Sequence, residues 1–243
     1  MPTCQARLAA HVQSLLDAGH FPIVLGGGHE IAFATWSGLA GHLAPCAEPP
    51  GLPGQPAARN LQTDSTPHPV PPRIGIINFD AHFDLRDPAH VQSSGTPFAQ
   101  IAEQCKQRGW PFAYACIGVS RASNTRALFA RAAELGVLVR EDREIRESTL
   151  ATVGDELHAF ASACDAVYVT IDIDVLPAAE APGVSAPAAH GVAMALLEPL
   201  LARVMASGKV RVADLAELNP RLDIDNRTAR AAARLIHGMS QQT

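Results

Sequence analysis

The amino-acid sequence predicts an α/β fold, a three-layer α-β-α arrangement around a mostly parallel sheet. Three features carry that expectation. Short runs rich in valine and isoleucine recur along the chain, stretches with apolar residues three and four apart lie between them, and the two kinds alternate. Such alternation buries a parallel sheet under helices on both faces. A length of 243 residues suffices for one large domain with its own core, so the whole chain, 1–243, is read as a single domain.

Six runs are read as strands: Phe21–Leu25, Ile74–Phe79, Ala113–Val119, Gly136–Val139, Ala166–Ile171 and Val210–Leu215. Seven stretches are read as helices, roughly 4–18, 30–42, 98–108, 123–135, 148–163, 192–207 and 227–238. Residues 45–72 break the rhythm. They carry nine of the chain's 19 prolines together with Gly, Ser, Thr and Gln and no apolar period, and are read as a Pro-rich, disordered surface insert.

Composition narrows the function. The net charge of −5 is modest and spread along the chain, which gives no footprint for nucleic acid or an anionic membrane. No apolar run reaches the roughly 18 residues of a membrane span, and no apolar segment follows a basic start. The five cysteines are widely spaced without a CxxC pair, and they read as reduced thiols of a cytoplasmic protein.

Ligands of open parallel sheets bind beyond the carboxyl ends of the strands, so polar residues just after an apolar run take priority. Three predicted strands end in such residues. Phe21–Leu25 runs into Gly26-Gly27-Gly28-His29-Glu30, Ile74–Phe79 into Asp80-Ala81-His82-Phe83-Asp84, and Ala166–Ile171 into Asp172-Ile173-Asp174. A lone Asp-x-His or Asp-x-Asp in such a place is more often a turn or a helix cap, and a lone Gly-rich turn more often cradles a phosphate. Together they gather a crowd of carboxylates that would repel one another and partly neutralise on burial. Divalent cations remove that conflict, and carboxylates with some imidazole suit hard or borderline ions such as Mn²⁺. Four aspartates and two histidines exceed what one ion with an open position needs, but suffice for two ions bridged by shared carboxylates.

These motifs resemble those of the arginase–agmatinase–formimidoylglutamase family of ureohydrolases. Gly26-Gly27-Gly28-His29, Asp80-Ala81-His82-Phe83-Asp84 and Ile171-Asp172-Ile173-Asp174 match its metal signatures, the last continuing into Ala181-Pro182-Gly183 and Gly191. Glu217-Leu218-Asn219-Pro220 is a fourth matching stretch. The resemblance implies an arginase-like fold with two Mn²⁺ per chain. One ion would be held by His29, Asp80, Asp84 and Asp172, the other by His82, Asp80, Asp172 and Asp174. It further implies hydrolysis at a trigonal C=N carbon, with Asp84 shuttling a proton to the departing nitrogen and Glu217 holding the substrate's cationic nitrogens. Family members have several tens of residues before the Gly-Gly-x-His strand, including a first strand. Here about 20 precede it. The sheet is therefore expected to lack that N-terminal part, and its open edge to need cover from a loop or another subunit, as in a homo-oligomer.

Within the family, Asp-Ala-His-Phe-Asp-Leu-Arg, Ser93-Ser94-Gly95-Thr96-Pro97-Phe98 and Ser120-Arg121-Ala122-Ser123-Asn124-Thr125 look most like the formimidoylglutamase branch. Arg86 stands where arginase-like members carry a neutral Asn, and an arginine there favours a small anionic amidine substrate. The resemblance thus implies N-formimidoyl-L-glutamate, cleaved to glutamate and formamide in histidine degradation, with Arg86, Arg121, Asn124 and Glu217 as substrate-binding residues. Ser94 stands where arginase and agmatinase carry a proton-relaying histidine. A hydrolase of a guanidino compound, or an inactive metal-binding member, are the alternatives.

Overall fold

A computed structural model describes residues 2–44, 70–89 and 91–241. The predicted insert at 45–72 lies outside the described residues except for its last three. Six strands form one sheet: β1 (Ile23–Leu25), β2 (Ile74–Phe79), β3 (Ala113–Val119), β4 (Leu138–Glu141), β5 (Ala166–Asp172) and β6 (Val210–Ala216). Their order across the sheet is β1-β6-β5-β2-β3-β4, and each neighbouring pair is parallel. Seven helices cover it: α1 (Pro2–Asp17), α2 (Ile31–Leu43), α3 (Pro97–Arg108), α4 (Arg126–Glu134), α5 (Leu150–Ser162), α6 (Met194–Met205) and α7 (Arg227–Ser240).

Side chains alternate along each strand, so the two faces carry separate cores. Ile76, Tyr114, Cys116, Tyr168 and Val212 point to one face, where they pack with Val12, Trp36, Phe98 and Ala132 of α1 to α4. Ile77, Phe79, Ile117, Val169 and Leu215 point to the other, against Leu157, Leu200 and Leu235 of α5 to α7. Burial on both faces is why β2, β3 and β5 read as continuous apolar runs, and every residue of these three strands is buried.

The chain winds outward from β2 through β3 to β4 and then returns to β5 on the other side of β2. Strand order reverses between β2 and β5, and the crevice beyond their carboxyl ends is where such a sheet binds ligands. Asp80 follows β2 and Asp172 closes β5. Helix α2, which begins just after His29, is held down by α1. A Cβ on Gly38 would sit 2.7 Å from both Ala9 O and Val12 Cβ, so only glycine lets the two helices approach this closely.

Two strand starts differ from expectation for local reasons, while β4, β5 and β6 run one or two residues further than expected. β4 starts at Leu138 rather than Gly136, because Gly136 takes φ +68 and ends α4 in the left-handed conformation. β1 is three residues rather than five: Pro22 brings no amide donor, although its carbonyl accepts from Ala213 N at 3.0 Å. No described helix is long and apolar enough to cross a membrane.

Candidate metal centre

The loops after β1, β2 and β5 converge on one buried cluster. Nδ1 of His29 lies 2.9 Å from Asp84 Oδ2, 3.1 Å from Asp80 Oδ2 and 3.4 Å from Asp172 Oδ2. Nδ1 of His82 lies 3.1 Å from Asp174 Oδ2 and 3.5 Å from Asp80 Oδ1. Two groups of ligating atoms result, His29 with Asp80, Asp84 and Asp172, and Asp80 with His82 and Asp174. Asp80 belongs to both; Asp172 falls in the His29 group.

The geometry satisfies the turn-forming reading of the Asp motifs and leaves oxygens over for the metal-holding one. Asp80 Oδ1 accepts from His82 N at 2.6 Å and Asp172 Oδ1 from Asp174 N at 2.9 Å, so one oxygen of each shapes its own turn. The other oxygen of each faces His29. Asn78, buried on β2, donates from Nδ2 to Asp80 Oδ2 at 2.9 Å and so fixes that carboxylate from below.

The cluster fits divalent ions on its own chemistry. His29 Nδ1 and Asp174 Oδ1 are buried without a hydrogen-bond partner, although oxygens surround the imidazole. A group that would bond to several of these atoms at once is a cation rather than a proton. Without one, the charges settle by moving protons. Burial disfavours charge on His29, yet Asp172, Asp80 and Asp84 hold its pKa well above the ordinary value. Burial likewise opposes charge on His82, and Asp174 and Asp80 raise its pKa to about 11. Burial pushes Asp84 up to about 6, helped by the charge on Asp80, and pushes Asp172 and Asp174 up as well. Asp80 goes the other way despite burial, because the imidazoles of His29 and His82 both lie close to its carboxylate.

A consequence can be measured. Both imidazoles must give up a proton to ligate, so binding releases protons and affinity rises with pH through the neutral range. The expected slope is roughly tenfold per pH unit for each proton displaced. Calorimetric titration with Mn²⁺ at pH 6 and pH 8, in buffers of different ionisation enthalpy, checks both the slope and the release. Affinity that is flat or falls with pH contradicts this account.

A cleft opens onto His82, Asp84, Asp172 and Asp174. Arg86, Ser94 and Gly95 line it on the β2 loop, and Ser185, Ala186 and Glu217 on the loops after β5 and β6. Arg86 N donates to Gly95 O at 3.0 Å, and a Cβ on Gly95 would lie 3.0 Å from Arg86 Cδ. The missing side chain at 95 therefore gives the guanidinium its seat. Glu217 Oε1 accepts from His29 N at 2.8 Å, and its Oε2 takes a long 3.4 Å contact from Ser185 Oγ in the cleft. One oxygen thus braces the histidine loop and the other is open to a ligand. Asp84 and Glu217 both hold left-handed backbone, at φ 49 and φ 67. Such strain of about 1–3 kcal/mol persists where surroundings dictate it. Here Phe98 N donates to Asp84 O, and Glu217 N donates to Gly27 O at 2.6 Å.

Arg121 and Asn124 are not among the residues lining this cleft. Arg121 is exposed, forms a two-point ion pair with Glu141 of β4 and lies over the Phe129 ring. Asn124 donates to Ala81 O and Ser120 O, both at 2.8 Å, while its Oδ1 accepts from Phe83 N. Both amide hydrogens and the oxygen are engaged in tying the Asp80–Asp84 loop to the turn after β3. Asn124→Ala is accordingly expected to lower metal affinity and melting temperature while leaving KM of the metal-saturated enzyme unchanged; a selective rise in KM would return Asn124 to the substrate. Glu30 stands outside both ligating groups, at the start of α2. Sequence reasoning passed over Ser185 of the cleft, Thr170, whose Oγ1 lies 2.9 Å from His29 Nε2, and the buried Asp214. Asp214 left a signal, a carboxylate inside the otherwise apolar stretch Val212–Ala216.

Comparison with known proteins agrees with this geometry. The Arginase family model matches residues 2–240. The formimidoylglutamase of Aeromonas salmonicida is 53% identical over 241 residues, covering 99% of this chain and 69% of that protein. The crystal structure of an arginase from Bacillus subtilis superposes with a TM-score of 0.76 at 26% identity, covering 97% of this chain and 77% of that one. A Trypanosoma cruzi formiminoglutamase with Mn²⁺ superposes with a TM-score of 0.78 at 22% identity, covering 100% of this chain and 71% of that one. With matching motifs, matching fold and a family match along nearly its whole described length, this chain belongs to the arginase family.

Proposed function

We propose that the chain hydrolyses the C–N bond of N-formimidoyl-L-glutamate, yielding L-glutamate and formamide, with two Mn²⁺ in the cluster. The observation that carries this reading is the placement of Arg86 on the wall of the same cleft that opens onto Asp84 and Glu217. A substrate with an amidine at one end and carboxylates at the other needs carboxylate acceptors near the reacting carbon and a cation some way from it. The similarity to formimidoylglutamases supports the same substrate, and a carboxylate-rich site with imidazole supports manganese.

Two divalent ions held there would lower the pKa of a bound water toward neutrality and so supply a nucleophile at physiological pH. The chain's own residues do the rest. Arg86 grips a substrate carboxylate by a planar two-point contact. The free oxygen of Glu217 accepts from the amidine N–H groups and aims the trigonal carbon at the cluster. Asp84 faces the cleft with a side chain 10% exposed, close enough to solvent to carry a proton to the leaving nitrogen. Arg121 is engaged by Glu141, which leaves Arg86 as the principal carboxylate ligand. In this reading the enzyme works in the cytoplasm, in the breakdown of histidine, as one domain spanning 1–243.

Turnover on N-formimidoylglutamate, arginine, agmatine and guanidinobutyrate, with and without Mn²⁺, tests the proposal. Metal-dependent release of formamide from the first alone is expected. Preference for a guanidino compound would replace the substrate, and no turnover with two ions bound would leave a metal-binding member without this activity.

A further inference from the structure

Polar side chains lie in the sheet core directly under the acidic cluster. Asn78 of β2 and Tyr114 of β3 are both buried, and the register of the two strands sets Cys116 beside Asn78 and Tyr114 beside Ile76. The hydrogen bonds between them run in one direction. A carbonyl can only accept, so Tyr114 gives its one hydroxyl proton to Phe83 O, at 3.1 Å. The phenol oxygen then accepts from Nδ2 of Asn78 at 3.0 Å, and the other amide hydrogen goes to Asp80 Oδ2 at 2.9 Å. Cys116 supports the same loop, its Sγ donating to His82 O at 3.2 Å.

This arrangement leaves Asn78 Oδ1 buried without a hydrogen-bond partner, a state that native proteins keep for few groups. Turning the amide over would set Oδ1 against a carboxylate oxygen, and the phenol, with its proton given to Phe83, has none to offer it. The orphaned oxygen is thus the cost of aiming both amide hydrogens at Asp80 and Tyr114. The oxygens of Asp80 are accounted for in the same way. Oδ1 accepts from His82 N and Oδ2 from Asn78. A carboxylate offers roughly four acceptor sites, so each oxygen keeps one free for an ion. The ring of Tyr114 also stacks on Phe98 at 4.5 Å, and Phe98 meets His29 edge-on at 5.3 Å.

We propose that Tyr114 and Asn78 are positioning residues: Tyr114 fixes the Asn78 amide and the Phe83 carbonyl, Asn78 fixes the carboxylate of Asp80, and together they set the affinity of both ion sites. The inference rests on the two-ion reading of the cluster. Both sites are involved because Asp80 belongs to both ligating groups, and the loop that Tyr114 holds carries Asp84 of one group and His82 of the other.

The test is a titration of the purified full chain with Mn²⁺, following free ion by electron paramagnetic resonance well below the melting temperature of each metal-free variant. Wild type should bind two ions. Asn78→Leu and Tyr114→Phe should each weaken both by about 10- to 100-fold, the usual effect of losing an outer partner of a metal ligand. The double variant should lose less than the product of the two single losses, because Tyr114 acts partly through Asn78. Ile76→Val, a cavity in the same sheet face that breaks none of these hydrogen bonds, is the control: it should lower the melting temperature and leave both affinities at the wild-type value. Should Asn78→Leu fail to fold, Tyr114→Phe carries the test, since phenylalanine keeps the ring stacked on Phe98. Wild-type affinities in the two variants, weakening of one ion alone, or equal weakening by Ile76→Val would overturn the positioning role while sparing the two-ion reading. A wild type that binds no ion overturns both.

Discussion

Asp80→Asn is expected to strip both ions from the chain and to reduce turnover to background. Asp80 is the one residue common to the two ligating groups, and the amide keeps its volume and its bond from His82 N while removing the charge. The size of the effect follows from what the ions supply. A water bound to such a metal has a pKa near 7, and losing the metal returns it to 15.7, so the hydroxide available at neutral pH falls by roughly eight decades. Asp174→Asn should behave differently, because Asp174 sits only in the His82 group and the His29 group stays whole. Metal analysis after Mn²⁺ loading should give about two ions for wild type, one for Asp174→Asn and none for Asp80→Asn. Two ions retained by the Asp80 variant would remove the shared-carboxylate assignment.

Arg86→Ala should cut kcat/KM for N-formimidoylglutamate with metal content unchanged. A charge-assisted hydrogen bond to the substrate carboxylate is worth about 1.5–3 kcal/mol, or roughly 10- to 150-fold. The cleft is open and Arg86 is exposed, which favours the lower end of that range. Lysine at 86 should recover only part of the loss, since an ammonium cannot make the planar two-point contact. Gly95→Ala should act in the same direction more weakly, by pressing on the seat of the guanidinium. Parallel assays on an amidine lacking the carboxylates provide the control. Equal losses on both compounds, or none on either, would sink the role assigned to Arg86.

Much of the fold was legible because its signals are local. Each of the six described strands and seven described helices announced itself through apolar spacing, and the candidate ligands stood at the ends of the three runs where a parallel sheet keeps its chemistry. The misplaced boundaries were readable too, had Gly136 been taken as a helix stop and Thr125, whose side chain accepts from Leu128 N, as the cap that starts α4 at Arg126. What stayed hidden depends on contacts far apart in sequence. Nothing near Arg121 or Asn124 reveals that Glu141 takes the first and that backbone groups consume the second. Likewise Thr170 and Asp214 look like stray polar residues in two mostly apolar strands until the register of β5 on β6 sets them side by side.

The strand order also dictates a timetable for synthesis. All six ligand residues have been translated once Asp174 is made, yet they cannot all be in place then. Among the described strands, β1 pairs with β6 alone, the last to leave the ribosome. β2 and β5 can dock on each other earlier, and with them Asp80, His82 and Asp174. A nascent chain therefore acquires the His82 half of the centre first. The His29 half needs the C-terminal strand to seat the N-terminal one, so an ion held there would be captured only after synthesis had run to the end of the sheet.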